Sequence, residues 1–106
     1  MNIEFEQDYL RALYEEGKAS GKKHRFQPQI IRQYQKTINR LRDADKIEDL
    51  FLIASLNYEK LGSDKKGIES VRVNDQYRIE FKSRTERKEP ETITICSIIE
   101  LSNHYK

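Results

Sequence analysis

The spacing of apolar residues changes twice along the chain. Ile3 and Phe5 alternate with polar neighbours over Met1 to Phe5, the period-two pattern of a strand. Leu10, Leu13 and Tyr14 then repeat at helical spacing. They predict a helix over about Gln7 to Gly17, with Gly17 as its stop. Lys18 to Phe26 reads as a polar, basic loop. Pro28 suits a first helical position after Gln27, and Ile30, Ile31, Tyr34, Ile38 and Leu41 share one face of the helix that follows. A short third helix is expected from Asp45, with Glu48 completing a capping box. Its Ile47, Leu50, Phe51 and Ile53 are apolar nearly all round, which predicts burial.

From Asn57 the period returns to two. Gly62 and Gly67 bracket a charged loop, and Val71 and Val73 then alternate with Ser70 and Arg72. Beyond Asn74-Asp75-Gln76, the residues Tyr77, Ile79 and Phe81 alternate with Arg78 and Glu80. Two alternating runs about a short polar turn predict a β-hairpin. Ser83 to Glu91 reads as a polar loop, and Thr92 to Leu101 as a last strand. In that strand Ile93, Ile95, Ile99 and Leu101 are expected on one face, with Cys96 and Ile98 on the other. Apolar residues on both faces suggest a covered, central strand. Helices segregated from strands in this order make an α+β domain, and 106 residues suit a single one spanning 1–106.

Composition narrows the function classes. Charged residues are as frequent as hydrophobic ones, 36% each, so a small core under a heavily charged surface is expected. No stretch reaches the length of a membrane span, and the first residues lack the order of a signal peptide. One cysteine, Cys96, excludes an internal disulfide and fits a cytoplasmic setting. With only His24 and His104 beside it, a Cys/His zinc site is disfavoured. Cys96 reads as a core residue, and His24 as a surface residue or part of an RNA-facing patch. The net charge of +2 is unevenly spread: residues 18–42 hold eight Lys or Arg and no acid. Within that block Arg32, Lys36 and Arg40 form a stripe at every fourth position. The stripe is suited either to phosphates or to a solvated helix face.

Three groups are candidates for chemistry. If Val73 pairs with Tyr77, Arg72 stands opposite Arg78 on one sheet face. Like charges so placed persist where an anion sits between them, and phosphate matches the guanidinium fork. The alternative is an ordinary solvated face with Arg78 paired to Glu80 or Glu69. The tail Asn103-His104-Tyr105-Lys106 brings a titratable imidazole, a phenol and a cation directly after the last strand. Asn57-Tyr58-Glu59-Lys60 offers Glu59 as a general base and Lys60 as a phosphate contact, or simply a charged loop.

Leu61, Asp64, Lys66-Gly67, Ser70-Val71-Arg72-Val73-Asn74 and Gln76-Tyr77-Arg78-Ile79-Glu80-Phe81, taken in order, resemble the RelE/ParE superfamily of bacterial toxins. Within it they look most like the HigB, or killer-protein, branch. The likeness is strong from about Leu56 onward and looser before it, where element order and the basic second helix agree. It implies a RelE-like α+β fold, in which an antiparallel sheet of three C-terminal strands and a short N-terminal strand packs with two main helices. It implies a type II toxin that cleaves messenger RNA on the ribosome, without metal or other cofactor. It also implies a cognate helix-turn-helix antitoxin, like those of HigA type, and through it operator DNA.

Arg72 and Arg78 match the family's hairpin arginines. The branch often has a histidine where Asn57 stands here, so Glu59 or Lys60 would replace it. The branch often ends in Asp-Tyr-His, whereas this chain ends in Asn-His-Tyr-Lys; the acid–base pair is expected among His104, Tyr105 and Lys106, in a register left open. Asn103, Lys60, Lys65, Lys66, Arg32, Lys36 and Arg40 are the expected RNA contacts. A gyrase-binding toxin of the ParE type and a non-catalytic RNA-binding module are the competing readings.

Overall fold

The computed structural model describes residues 1–103, except the side chains of Lys23 and Ser63. Strand β1 (Asn2–Phe5) leads into α1 (Asp8–Glu15) and α2 (Pro28–Asp43). A single helical turn, α3 (Ile47–Leu50), and a 3-10 turn (Ala54–Leu56) follow. Then come β2 (Glu59–Lys60), β3 (Glu69–Arg72), β4 (Tyr77–Lys88) and β5 (Glu91–Asn103). The strands form one sheet in the order β1-β5-β4-β3-β2. All neighbours are antiparallel except β1, which lies parallel to β5. The expected α+β architecture is therefore present, with one strand more than expected, because β2 adds two residues to the edge beside β3.

Both helices form where the apolar stripes place them. Gly17, at φ +75°, ends α1 in a backbone conformation that suits glycine. Leu10 and Leu13 of α1 and Tyr34, Ile38 and Leu41 of α2 are fully buried. They pack with Val71, Ile79, Phe81, Cys96, Ile98 and Leu101 of the sheet. The Tyr34 hydroxyl donates to the Leu10 carbonyl at 2.8 Å, which ties α2 to α1 inside this core.

Three sequence expectations give way to the structure. Ser83–Glu91 is not a loop: β4 continues through Lys88, turns at the cis Glu89–Pro90 bond, and returns as β5 from Glu91. Residues 82–88 carry no apolar alternation because most of them face solvent. Backbone pairing and cross-strand neighbours such as Thr85 with Thr94 hold this part of the ribbon. The face assignment within β5 also changes. A β-bulge between Glu80 and Phe81 leaves Ile99 without a partner, so Leu101 joins Cys96 and Ile98 on the helix-covered face. Finally, α3 begins at Ile47 rather than Asp45. Asp49, not Glu48, caps it by accepting the Asp45 and Lys46 N–H groups at 3.1 and 3.3 Å. One turn cannot aim every apolar residue inward: Leu50 is buried, but Phe51 is 56% exposed.

Burial pushes the Cys96 thiol up to about 12 from 9.0. It raises the Tyr34 and Tyr58 phenols above 10.0, and for Tyr58 the hydrogen bond to Glu69 adds to the rise. Each group holds its proton more tightly folded than unfolded. Their contribution to stability is thus complete below about pH 9 and is lost as pH rises through the folded values. The urea midpoint should fall between about pH 7 and about pH 10.5. Tyr34→Phe should cost about 1 kcal/mol at neutral pH through its lost hydrogen bond and make the alkaline fall shallower. A midpoint unchanged over this range contradicts the assignment.

Candidate functional site

The hairpin has the register expected from its alternation. Val73 donates its N–H to the Tyr77 carbonyl at 2.9 Å, and Arg72 lies directly opposite Arg78. The turn is held by Asn74, whose Oδ1 accepts from the N–H groups of Gln76 and Tyr77 at 2.8 and 2.7 Å. Asn74 Nδ2 donates to Gln33 Oε1 at 2.7 Å, fixing the turn to α2. Alternation and register put Glu59, Ser70, Arg72, Arg78 and Glu80 on the sheet face opposite the core.

The two arginines differ in what surrounds them. Arg78 is 6% exposed. Its Nε donates to Ser70 Oγ at 3.0 Å and its Nη2 to the Asn57 carbonyl at 2.7 Å. The Glu59 carboxylate lies 3.8 Å from the same Nη2. Burial lowers the Arg78 pKa and Arg72 adds to that, against the opposing pull of Glu59 and Glu80; a guanidinium still keeps its charge. The alternative pairing of Arg78 with Glu80 or Glu69 is not formed. Glu80 pairs with Lys65 at 2.7 Å, which raises the Lys65 pKa. Glu69 accepts from the hydroxyls of Tyr58 and Ser83, each at 2.5 Å, and from the Ser83 N–H at 3.0 Å. Arg72 is half-exposed. It donates to the Asn74 carbonyl at 3.1 Å and to the Asp75 carboxylate, contacts within its own turn.

Two adjoining clefts meet at Arg72. One, of about 420 Å³, runs between α2 and the turn; Lys36, Arg40 and Ser55 line it with Arg72 and Asn74. The other, of about 550 Å³, is lined by Asn57, Glu59 and Arg78, again with Arg72 and Asn74. Arg40 reaches Ser55 Oγ at 2.9 Å. The structure thus brings together Arg72, Arg78, Glu59, Lys36 and Arg40, from four separate elements.

It does not bring Arg32, Lys60, Lys65 or Lys66 there. Arg32 is exposed and lines neither cleft. Lys65 is engaged by Glu80. Lys60 and Lys66 line a separate groove beside α3, because Lys60, next to Glu59 in β2, faces the opposite side. Of the two proposed replacements for the family's histidine, only Glu59 reaches the cleft. Asn103 ends β5 opposite Tyr77, and His104, Tyr105 and Lys106 lie outside the described residues. His24 lines neither cleft; it stacks on Tyr9 at 3.7 Å between ring centres. Among the described residues no His, Cys, Asp and Glu cluster could hold a metal ion. No helix among them is long and apolar enough to cross a membrane.

Sequence reasoning gave no role in the site to Asn57, Ser70 or Asn74. Asn57 is the one described non-glycine residue with positive φ, +43°, and that geometry aims its carbonyl at Arg78. Asn74-Asp75 at the hairpin turn was the available signal for the third.

The model of a toxin family described as the RelE-like toxin of the type II toxin–antitoxin system HigB matches residues 3–93. No curated protein matches the chain in sequence. Among solved structures, the YoeB/ParE toxin from Agrobacterium tumefaciens is similar over 99% of this chain and 100% of its own. The TM-score is 0.53 and the identity 16%. That likeness concerns the fold, which is RelE-like. The family match takes in both helices, the hairpin and its two arginines. On that span the chain belongs to the HigB-like family, the RelE-like toxins of type II toxin–antitoxin systems.

Proposed function

We propose that the chain is a ribosome-dependent endoribonuclease that cleaves messenger RNA. The observation that carries this reading is the directly opposed Arg72–Arg78 pair, open to a cleft that Lys36 and Arg40 extend. Two guanidinium groups across one sheet rung repel each other, and an anion between them turns that repulsion into attraction. A single-stranded phosphodiester backbone supplies such anions in series, one for the arginine pair and others for the α2 cations.

In the reaction the ribose 2′-hydroxyl attacks the adjacent phosphorus and the bond to the 5′-oxygen breaks. A base takes the hydroxyl proton and an acid returns one to the leaving oxygen. Arg72, half-exposed and held only by its own turn, exchanges its Asp75 contact for the scissile phosphate and stabilises the added negative charge. Arg78 has its contacts already made, so it acts mainly as a fixed positive charge behind that phosphate and holds Asn57 and Glu59 in place. Glu59, exposed in the cleft, is the proposed base, and the acid is assigned to the tail residues His104, Tyr105 and Lys106. Asn103 contacts the RNA where β5 ends beside the hairpin. In this reading the toxin acts in the cytoplasm on translating ribosomes. It is held inactive by a HigA-like helix-turn-helix antitoxin that also binds operator DNA.

The arginines are expected to separate in their effects. Arg72→Ala should cut messenger cleavage by at least about 100-fold, with stability changed by less than about 1 kcal/mol. Arg78→Ala should lose both, because it strands buried acceptors at a cost of about 1–3 kcal/mol. Cleavage in extracts programmed with a defined message, read beside thermal unfolding, checks this. Full activity in a folded Arg72→Ala protein, or gyrase stalling in place of cleavage, rules the reading out.

The α2 cations act through charge alone. Lys36→Gln with Arg40→Gln should weaken ribosome binding at low salt and reduce its salt dependence by about one unit of log–log slope per cation. An unaltered slope removes them from the interface.

A further inference from the structure

Asp75 stands where the two clefts meet, and it lines both of them together with Arg72 and Asn74. Its carboxylate accepts from Arg72 Nη2 and, among the described residues, has no other partner. Each arginine of the opposed pair thus already has a carboxylate beside it: Glu59 for Arg78 and Asp75 for Arg72. A phosphate that comes to Arg72 must displace a resident anion.

The contact is arranged so that it can be given up. Arg72 uses two separate groups: Nε donates to the Asn74 carbonyl at 3.1 Å, and Nη2 reaches Asp75. Release of Asp75 frees the end of the guanidinium while the Nε contact still aims it. The turn does not depend on Asp75 either. Asn74 Oδ1 accepts from the Gln76 and Tyr77 N–H groups, and Asn74 Nδ2 is tied to Gln33 of α2. The Asp75 side chain is 89% exposed, and an ion pair in such a setting is weak and screened by salt. Its tether compensates: at i,i+3 from Arg72, it competes at a high effective concentration with any anion arriving from solution.

We propose that Asp75 is a specificity-determining residue of the Arg72 cleft, a tethered competitor that sets how strongly the rest of a ligand must bind before Arg72 is released. The proposal rests on the reading of this cleft as a site for RNA phosphates. A lone phosphate offers Arg72 only the exchange of one anion for another. A single-stranded backbone carries further phosphates. Lys36 and Arg40, which line the same cleft, can bind these without breaking an ion pair, since neither forms one among the described residues. Those added contacts drive the exchange at Arg72. The carboxylate keeps small phosphates off Arg72, and the α2 cations let a backbone through.

The test is a double-mutant cycle read by binding and not by cleavage. One probe is a short single-stranded RNA with 2′-O-methyl riboses, which cannot be cleaved, followed by fluorescence anisotropy. The other is inorganic phosphate, followed by the NMR signal of the Arg72 side chain. Asp75→Asn should tighten both by about 3-fold, the size that an exposed ion pair supports. The two gains should be equal, because the same contact is exchanged in each. In an Arg72→Ala background Asp75→Asn should leave RNA affinity unchanged. Asp75→Ser, also a turn-forming residue, should repeat the Asp75→Asn result, and thermal unfolding checks that both variants fold. Wild-type affinity in both folded variants overturns the proposal. So does an equal gain in the Arg72→Ala background, which assigns the effect to the loss of a negative charge and not to the release of Arg72. A gain for phosphate with none for RNA overturns it too, and removes RNA from the Arg72 cleft. Failure of messenger cleavage in the wild-type chain would overturn the ribonuclease reading and leave this cycle as it stands.

Discussion

Arg78 carries a full positive charge at a position only 6% exposed, and a buried charge persists only where its donors find acceptors. Its acceptors are the Asn57 carbonyl after a 3-10 turn and the Ser70 hydroxyl in β3, and the Glu59 carboxylate in β2 adds an ion pair at 3.8 Å. Satisfying one guanidinium therefore fixes a segment without regular structure against the sheet. That explains why Asn57 adopts a positive φ and why a two-residue strand is present at all. Arg72 is the counterpart: opposite Arg78 in the sheet, yet left with only turn contacts. The fold immobilises one arginine and leaves the other free to exchange partners.

The sheet separates the core from the candidate site by side-chain alternation. Val71, Ile79 and Phe81 enter the core with the helices, while Ser70, Arg72, Arg78 and Glu80 take the other face. The β-bulge at Glu80/Phe81 preserves this division, bringing Leu101, Ile98 and Cys96 to the same covered face despite their uneven spacing. Helix α2 serves both roles. Tyr34, Ile38 and Leu41 bury its inner face, and Lys36 and Arg40 extend the cleft that begins at Arg72.

What could be read in the sequence was whatever local periodicity encodes. The two main helices, the hairpin and the Arg72–Arg78 register follow from apolar spacing and a polar turn, and all are present. The far half of β4 was illegible because a largely exposed strand has no apolar alternation. The bulge was illegible because it depends on pairing with a distant strand. In the site, Arg72 and Arg78 stood out by pattern, as did Lys36 and Arg40 by charge. Asn57 did not, since a carbonyl's direction leaves no mark on composition. Lys60 and Lys66 were misplaced for a simple reason: adjacent strand residues face opposite ways, and a basic loop in sequence need not be a basic cleft in space.

The central claim is that the arginine-lined cleft cuts messages during translation. It is tested most directly by primer extension on a reporter message in cells producing the chain, with and without the reporter's start codon. The account predicts cuts within the coding region of the translated reporter and none in the untranslated one. Cuts of equal strength in both would contradict ribosome dependence, and growth arrest with no cuts in either would contradict RNA cleavage itself.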